Sequence, residues 1–186
     1  MNKYKVLKNK QDFTFENYSI VPIRFEDRMD ILKWRNEQIY HLRQEKPLTE
    51  NDQDNYFAFV VDKLFEQTNP SQILFSYLES GICIGYGGLV HVNWVDKNAE
   101  ISFIMNTKLE NKFFIKHWQI FLGLIEQVAF KDLILHKIYV YAFDLRPHLY
   151  TILENSKFIN EAVLKEHILY ENKFIDIVIH SKLNKK

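Results

Sequence analysis

The stretch from Asn98 to Ala129 reads NAEISFIM (98–105), NTKLENKF (106–113) and FIKHWQIFLGLIEQVA (114–129). Its first part alternates. Ala99, Ile101, Phe103 and Met105 fall on one face and Glu100 and Ser102 on the other, the period of a β-strand. Its last part carries Phe114, Trp118, Phe121, Leu122, Ile125, Val128 and Ala129 at spacings of three and four, the apolar stripe of a long helix lying on a core. A strand that feeds a long helix through a polar connection is therefore the centre of the fold.

Upstream, Gln72 to Glu79 and Ile82 to Asn93 are β-rich runs joined through Ser80-Gly81, a hairpin signature. Thr49 with Asp52 three residues later forms a capping box. It opens a helix that carries Tyr56, Phe57, Val60, Val61, Leu64 and Phe65. Glu26 to Asn36, with Met29, Leu32 and Trp34 among charges, reads as an earlier helix, and Tyr18 to Ile23 as a first strand. Downstream, Lys137 to Phe143 is a strand and Pro147 opens a helix to Asn155. Glu161–Tyr170 and Phe174–Leu183 make a second hairpin about Glu171-Asn172-Lys173. The order β-α-α-β-β-β-α-β-α-β-β predicts a mixed α/β (α+β) domain: a central sheet of about seven strands covered by about four helices. Residues 18–183 form that one domain, and residues 1–17 read as an N-terminal extension.

Bulk properties exclude several classes. Lys plus Arg and Asp plus Glu both number 24, so no net field favours nucleic acid or an anionic membrane. No run of apolar residues is long enough to span a bilayer, and Met1–Lys10 lacks the apolar core of a secretory signal. Cys83 is the only cysteine, which fits a reducing compartment. The cytoplasm is the expected location, and Cys83 reads as packing. The seven histidines show no metal-ligand spacing, so no metal is expected. The absence of a G-x-S-x-G elbow gives no support to a serine hydrolase.

This order of elements resembles the GNAT superfamily of acyl-CoA-dependent N-acyltransferases. Ile31-Leu32-Lys33-Trp34-Arg35-Asn36 is similar to the first-helix segment of its bacterial amino-sugar and ribosomal-protein acetyltransferases. Ile84-Gly85-Tyr86-Gly87-Gly88-Leu89 resembles the family's third strand, and Ala99-Glu100-Ile101-Ser102-Phe103-Ile104 its fourth. Leu153-Glu154-Asn155-Ser156-Lys157-Phe158 stands where the family often ends a helix with L-E-K-x-G-F. The final hairpin, with Asp176 after its turn, is similar too. The resemblance implies a GNAT-like sheet whose fourth and fifth strands splay to admit acetyl-CoA. The backbone of Phe103, Ile104 and Met105 would then pair with the pantetheine arm, and an N–H there would face the developing oxyanion.

One departure concerns the loop between that strand and the long helix. The family places glycines there, roughly Q/R-x-x-G-x-G/A, so that N–H groups reach a pyrophosphate at a helix N-terminus. Here residues 106–116 hold no glycine. Lys112, Lys116 and His117 are the candidate side-chain anion partners, against the alternative that Phe114 and Trp118 simply extend the core and the lysines face water.

By the same resemblance Glu100 is the candidate general base, on a strand position where relatives often hold a glutamate and where desolvation would raise its pKa. The tyrosine that many relatives use as general acid falls at Leu153. Tyr150, one turn earlier and close to His148, is the nearest substitute. The first two helices and the final hairpin would build the acceptor site, with Trp34, Arg35 and His91 touching substrate. Arg35, Arg43 and His41 would meet phosphate, and Tyr40 and Tyr56 would stack. The expected reaction is acetylation of a small-molecule primary amine, an amino sugar on a nucleotide carrier used in surface-polysaccharide synthesis. A closed pocket with basic residues would favour the sugar. An acidic groove would favour a protein N-terminal or ribosomal-protein acetyltransferase. A cleft filled by Phe113, Phe114 or Trp118 would mark a non-catalytic module. No nucleic-acid or membrane partner is expected, and a homodimer is left open.

Overall fold

The computed structural model describes residues 3–8 and 10–185. It begins with a hairpin not foreseen above, β1 (Phe13–Phe15) paired with β2 (Tyr18–Pro22) across Glu16 and Asn17. The N-terminal residues do not lie outside the domain core: Tyr4, Leu7 and Phe13 are buried in it, and the Tyr4 hydroxyl donates to the Leu74 carbonyl at 2.9 Å. Then come α1 (Arg28–Glu37), a 3-10 turn at Ile39–His41 and α2 (Glu50–Tyr56). The last runs through a π-helical stretch, Phe57–Val61, into α3 (Asp62–Glu66).

Thr49 and Asp52 form the reciprocal cap their spacing predicts. The Asp52 N–H donates to Thr49 Oγ1 at 3.1 Å and the Thr49 N–H to Asp52 Oδ2 at 2.9 Å. Thr49→Ala leaves one of those end donors to water, and unfolding in urea should show a loss of about 1 kcal/mol. No measurable loss would show that the cap contributes nothing.

β3 (Ile73–Glu79) and β4 (Ile82–Asn93) form the predicted hairpin, with Ser80 and Gly81 both at positive φ, as a type I′ turn demands. β5 (Asn98–Met105) leads directly into α4 (Thr107–Glu126), continued by a π-helical end, Gln127–Asp132. β6 (Lys137–Phe143), α5 (Pro147–Asn155), β7 (Ile159–Tyr170) and β8 (Lys173–Leu183) complete the chain. Among the described residues the strands form one eight-stranded sheet in the order β1-β2-β3-β4-β5-β6-β8-β7. All its pairs are antiparallel except β5–β6.

One face of the sheet packs on α4. Phe103 stacks on Phe121 with ring centroids 4.0 Å apart and stands edge-on to Trp118, and Tyr77 meets Phe121 edge-on. The other face carries Ser76, Tyr86 and Glu100 and is reached from α1, where Arg35 donates to the Tyr86 hydroxyl at 2.6 Å. Among the described residues no helix is long and apolar enough to cross a membrane.

Candidate active site

β5 and β6 pair only through Asn98–Lys137, Ala99–Ile138 and Glu100–Tyr139. Beyond Glu100 they separate. The Lys97 carbonyl accepts from the N–H groups of His136 and Lys137, so it faces β6, and the Asn106 N–H donates to Ile84, so it faces β4. Alternation along the strand then turns the Ile101 carbonyl and the main chain of Phe103 into the gap, while the Ile101 N–H still serves the last pair, Glu100–Tyr139. Ser102 and Ile104 turn the other way: a Cβ on Gly87 or Gly85 would lie 2.2 or 2.8 Å from their carbonyl oxygens. Of the three residues expected to edge the gap, Phe103 does so. Ile104 is occupied by β4, and the Met105 carbonyl accepts from the buried Gln38 amide at 2.7 Å. Ile101, through its carbonyl, and not Ile104, is the second residue at the edge of the gap.

The gap holds a cavity of about 180 Å³, lined by Glu100, Ser102, Phe103, Trp118, Tyr141 and Arg146 among others. Glu100 is 5% exposed. Burial pushes its carboxyl above the usual range, and Arg43 and then His91 pull it part of the way back. Arg43 Nη2 donates to Glu100 Oε1, and His91 Nε2 stands 3.9 Å from Oε2.

Arg43 and Arg35 line this cavity and also a second one of about 610 Å³, walled by Tyr56, Tyr86, Gln72 and His91. Both bonds of the Arg35 guanidinium go to neutral partners, the Tyr86 hydroxyl at 2.6 Å and Gln44 Oε1 at 3.1 Å. Among the described residues no carboxylate forms an ion pair with it. His41 lines the smaller cavity, but burial and the neighbouring Arg146 lower its pKa to about 3. It therefore brings no charge of its own to the phosphate the sequence reading places beside it. Trp34, expected to touch substrate, is 3% exposed and belongs to the core, because its spacing from Ile31 keeps it on the inner stripe of α1.

A third cleft, about 800 Å³, opens at the start of α4. The glycine-free connection is not a loop. It is helical from Thr107, with Asn106 accepting from the Lys108 N–H as N-cap, and it breaks at Phe113, whose φ of −130° and ψ of 23° are not helical. The break starts a second helical run at Phe114, whose first turn needs partners for its N–H groups. Lys112 and Lys116 are exposed on the wall of this cleft. His117, grouped with them from sequence, is 2% exposed and turned into the core, its Nδ1 at 3.1 Å from the Tyr77 hydroxyl. It cannot meet an anion. Phe114 and Trp118 are buried, and the cleft beside them is open.

Arg146 lines the small cavity and Glu110 the large cleft. Their ion pair, at 3.1 Å with each side chain 12% exposed, stands between the two. Tyr150 is not among the residues lining the gap; its neighbour Leu149 is. Its hydroxyl donates to Asp144 Oδ1 at 2.9 Å and its ring stacks on His180 at 5.2 Å. Burial pushes its hydroxyl pKa up.

These features fit an acyl-CoA. The open edges of Ile101 and Phe103 suit an amide-bearing arm, and the restarted helix with Lys112 and Lys116 suits phosphates. A family model described as "Acetyltransferase (GNAT) domain" matches residues 20–179. Among solved structures, the spermidine N-acetyltransferase from Vibrio cholerae in complex with CoA and spermine superposes with a TM-score of 0.80. It is 17% identical, over 91% of this chain and 97% of that one. A dodecameric form of the Vibrio cholerae enzyme in an intermediate state gives 0.74 at 20% identity, over 91% and 95%. At such identities these structures establish the common fold.

Proposed function

The chain belongs to the GNAT acetyltransferase family, which draws its acetyl group from acetyl-CoA, and from that premise we propose that it acetylates, in the cytoplasm, the primary amine of an anionic acceptor, an amino sugar on a nucleotide carrier. The observation that carries this reading is Arg35, a half-buried guanidinium facing a cavity with no carboxylate partner among the described residues. A guanidinium so placed suits a phosphate, which it can bind in bidentate fashion. Tyr56 and Tyr86 beside it supply flat surfaces for a sugar or base.

When bound, acetyl-CoA supplies the acyl group as an activated thioester. The chain's own residues do the rest. The Ile101 carbonyl and the main chain of Phe103 would hold the arm, and Glu100, desolvated beside the gap, takes the proton the amine must lose. Tyr150 is too engaged with Asp144 to serve readily as an acid. A thiol with a pKa near 8.5, about that of cysteine, leaves without one.

The Vibrio cholerae structures suggest a second acceptor, a polyamine. A polycation wants free carboxylates. The carboxylates lining the two cavities are Asp52, held by its cap, and Glu100, held by Arg43, and the two arginines would repel it.

Acetylation assays with glucosamine, glucosamine 1-phosphate, a nucleotide-linked amino sugar, spermidine and a short peptide should rank the nucleotide-linked amine first. Arg35→Met should raise KM for the phosphorylated amines about tenfold or more, the scale of a lost charge-assisted hydrogen bond, with KM for acetyl-CoA nearly unchanged. Turnover led by spermidine would overturn the anionic-acceptor reading.

A further inference from the structure

Arg43 occupies an unusual position between the two cavities. One of its donors meets Glu100 Oε1, and its guanidinium lies 4.7 Å over the Tyr141 ring. Yet its side chain is 46% exposed, and it lines the same cavity as Arg35. It comes from an irregular segment tied to α1. Arg35 donates to Gln44 Oε1 at 3.1 Å, Gln44 donates to Asn36 Oδ1 at 3.0 Å, and the Leu48 N–H donates to the same oxygen at 2.8 Å. The segment is anchored just after Arg43, at Gln44 and Leu48, while the long side chain itself is held at one end only. A guanidinium has five donors in a rigid fork. One is spent on Glu100, and among the described residues the others have no partner and can meet a ligand.

The remaining groups facing Glu100 are His91 from β4 and Tyr139 and Tyr141 from β6. None of the three is a permanent cation. Among the described residues Arg43 is thus the one fixed positive charge that acts on Glu100, and it shares a cavity with Arg35, the proposed anion partner.

We propose that Arg43 determines acceptor specificity by exchanging partners: it holds Glu100 in the free enzyme and turns to the acceptor's phosphate when that group enters beside Arg35. This rests on the anionic-acceptor reading above. An amine without the anion leaves Arg43 on Glu100, where the cation weakens the carboxylate as a base. An amine that brings the anion removes the cation and leaves Glu100 in an apolar setting, where it binds a proton more tightly. The enzyme then discriminates in the proton-transfer step as well as in binding.

The test is steady-state acetylation of glucosamine and glucosamine 1-phosphate by wild type, Arg43→Met and Arg43→Lys, across pH, with acetyl-CoA saturating. Wild type should prefer the phosphorylated amine by about tenfold or more in kcat/KM, the scale of a charge-assisted pair. Arg43→Met should lose most of that preference. On glucosamine, whose own titration is common to all enzyme forms, its rising pH limb should move up by about one unit, as expected when an adjacent cation is removed. Arg43→Lys should restore the limb but little of the preference, because an ammonium is a point charge without the fork that grips a phosphate in bidentate fashion. Melting curves on the same samples exclude misfolding, and the lysine variant keeps the test valid if the methionine variant does not fold. A retained preference and an unmoved limb in the substituted enzyme would overturn the exchange while leaving the acceptor reading intact. Wild-type turnover of neither amine, or of spermidine alone, would overturn both.

Discussion

Glu100→Gln is expected to lower kcat by about two to three orders of magnitude, the range of a lost general base, while acetyl-CoA affinity and melting temperature stay near wild type. The amide keeps the size of the carboxylate and can still accept from Arg43, so the packing around Tyr139 and Tyr141 is preserved. It cannot take a proton. Because the lost interaction exists only in the transition state, kcat and kcat/KM should fall together. The wild-type rate should rise as pH passes the Glu100 pKa, which burial places above the ordinary glutamate value despite Arg43 and His91. That rise should vanish in the variant, leaving only the titration of the amine. Stopped assays with product quantified by thiol release would read both effects. Full activity in Glu100→Gln would remove this residue from the mechanism and leave amine deprotonation to water.

Gly87→Ala should cost about 3 kcal/mol or more of stability, at the upper end of overpacking in a rigid core. In register, Gly87 lies between Phe75 and Phe103. An added Cβ would stand 2.2 Å from the Ser102 carbonyl oxygen, 2.9 Å from Phe103 Cα and 2.9 Å from Phe121 Cζ. The first two are backbone and cannot swing aside, and the Phe121 ring is stacked on Phe103. β5 would have to leave β4, carrying Ile101 and Phe103 with it. Gly123→Ala is the matched control. Nothing lies within 4 Å of a Cβ there, and mid-helix alanine gains about 1 kcal/mol over glycine. Urea midpoints that shift down for the first and up for the second would bear out this packing. Equal stability of Gly87→Ala and wild type would show the strands to be further apart than described.

The elements that carry a period were legible in the chain. NAEISFIM and the stripe from Phe114 to Ala129 gave β5 and the main part of α4, and Thr49 and Asp52 gave the start of α2 in advance. β1 was not legible because Phe13–Phe15 is three residues long and its turn, through Glu16 at φ 52°, lacks the usual glycine. Such a strand is specified by burial of Phe13 against Phe75, a tertiary effect. The helical turn at Thr107–Lys112 hid behind a break at Phe113 that no proline or glycine announces. His117 was legible and missed. It sits three residues after Phe114 and four before Phe121, on the same apolar stripe. The Arg43–Glu100 pair could not have been read at all, since its members are 57 positions apart and Arg43 lies in a segment without period.

The gap beyond Glu100 has a consequence for how such a chain diverges. The open edges of Ile101 and Phe103 are main chain, and main chain is the same whatever residue bears it. A partner that docks there is recognised without reading a single side chain. Substitutions along β5 are then filtered by what packs on α4, and the grip on the donor proposed for this edge would pass unaltered through almost any change of sequence that keeps the strand straight. Chains that agree at few positions can for this reason keep such an edge, so long as the fold is kept. On the proposed function, selection for a new acceptor would then be left to Arg35, Arg43 and the walls around them.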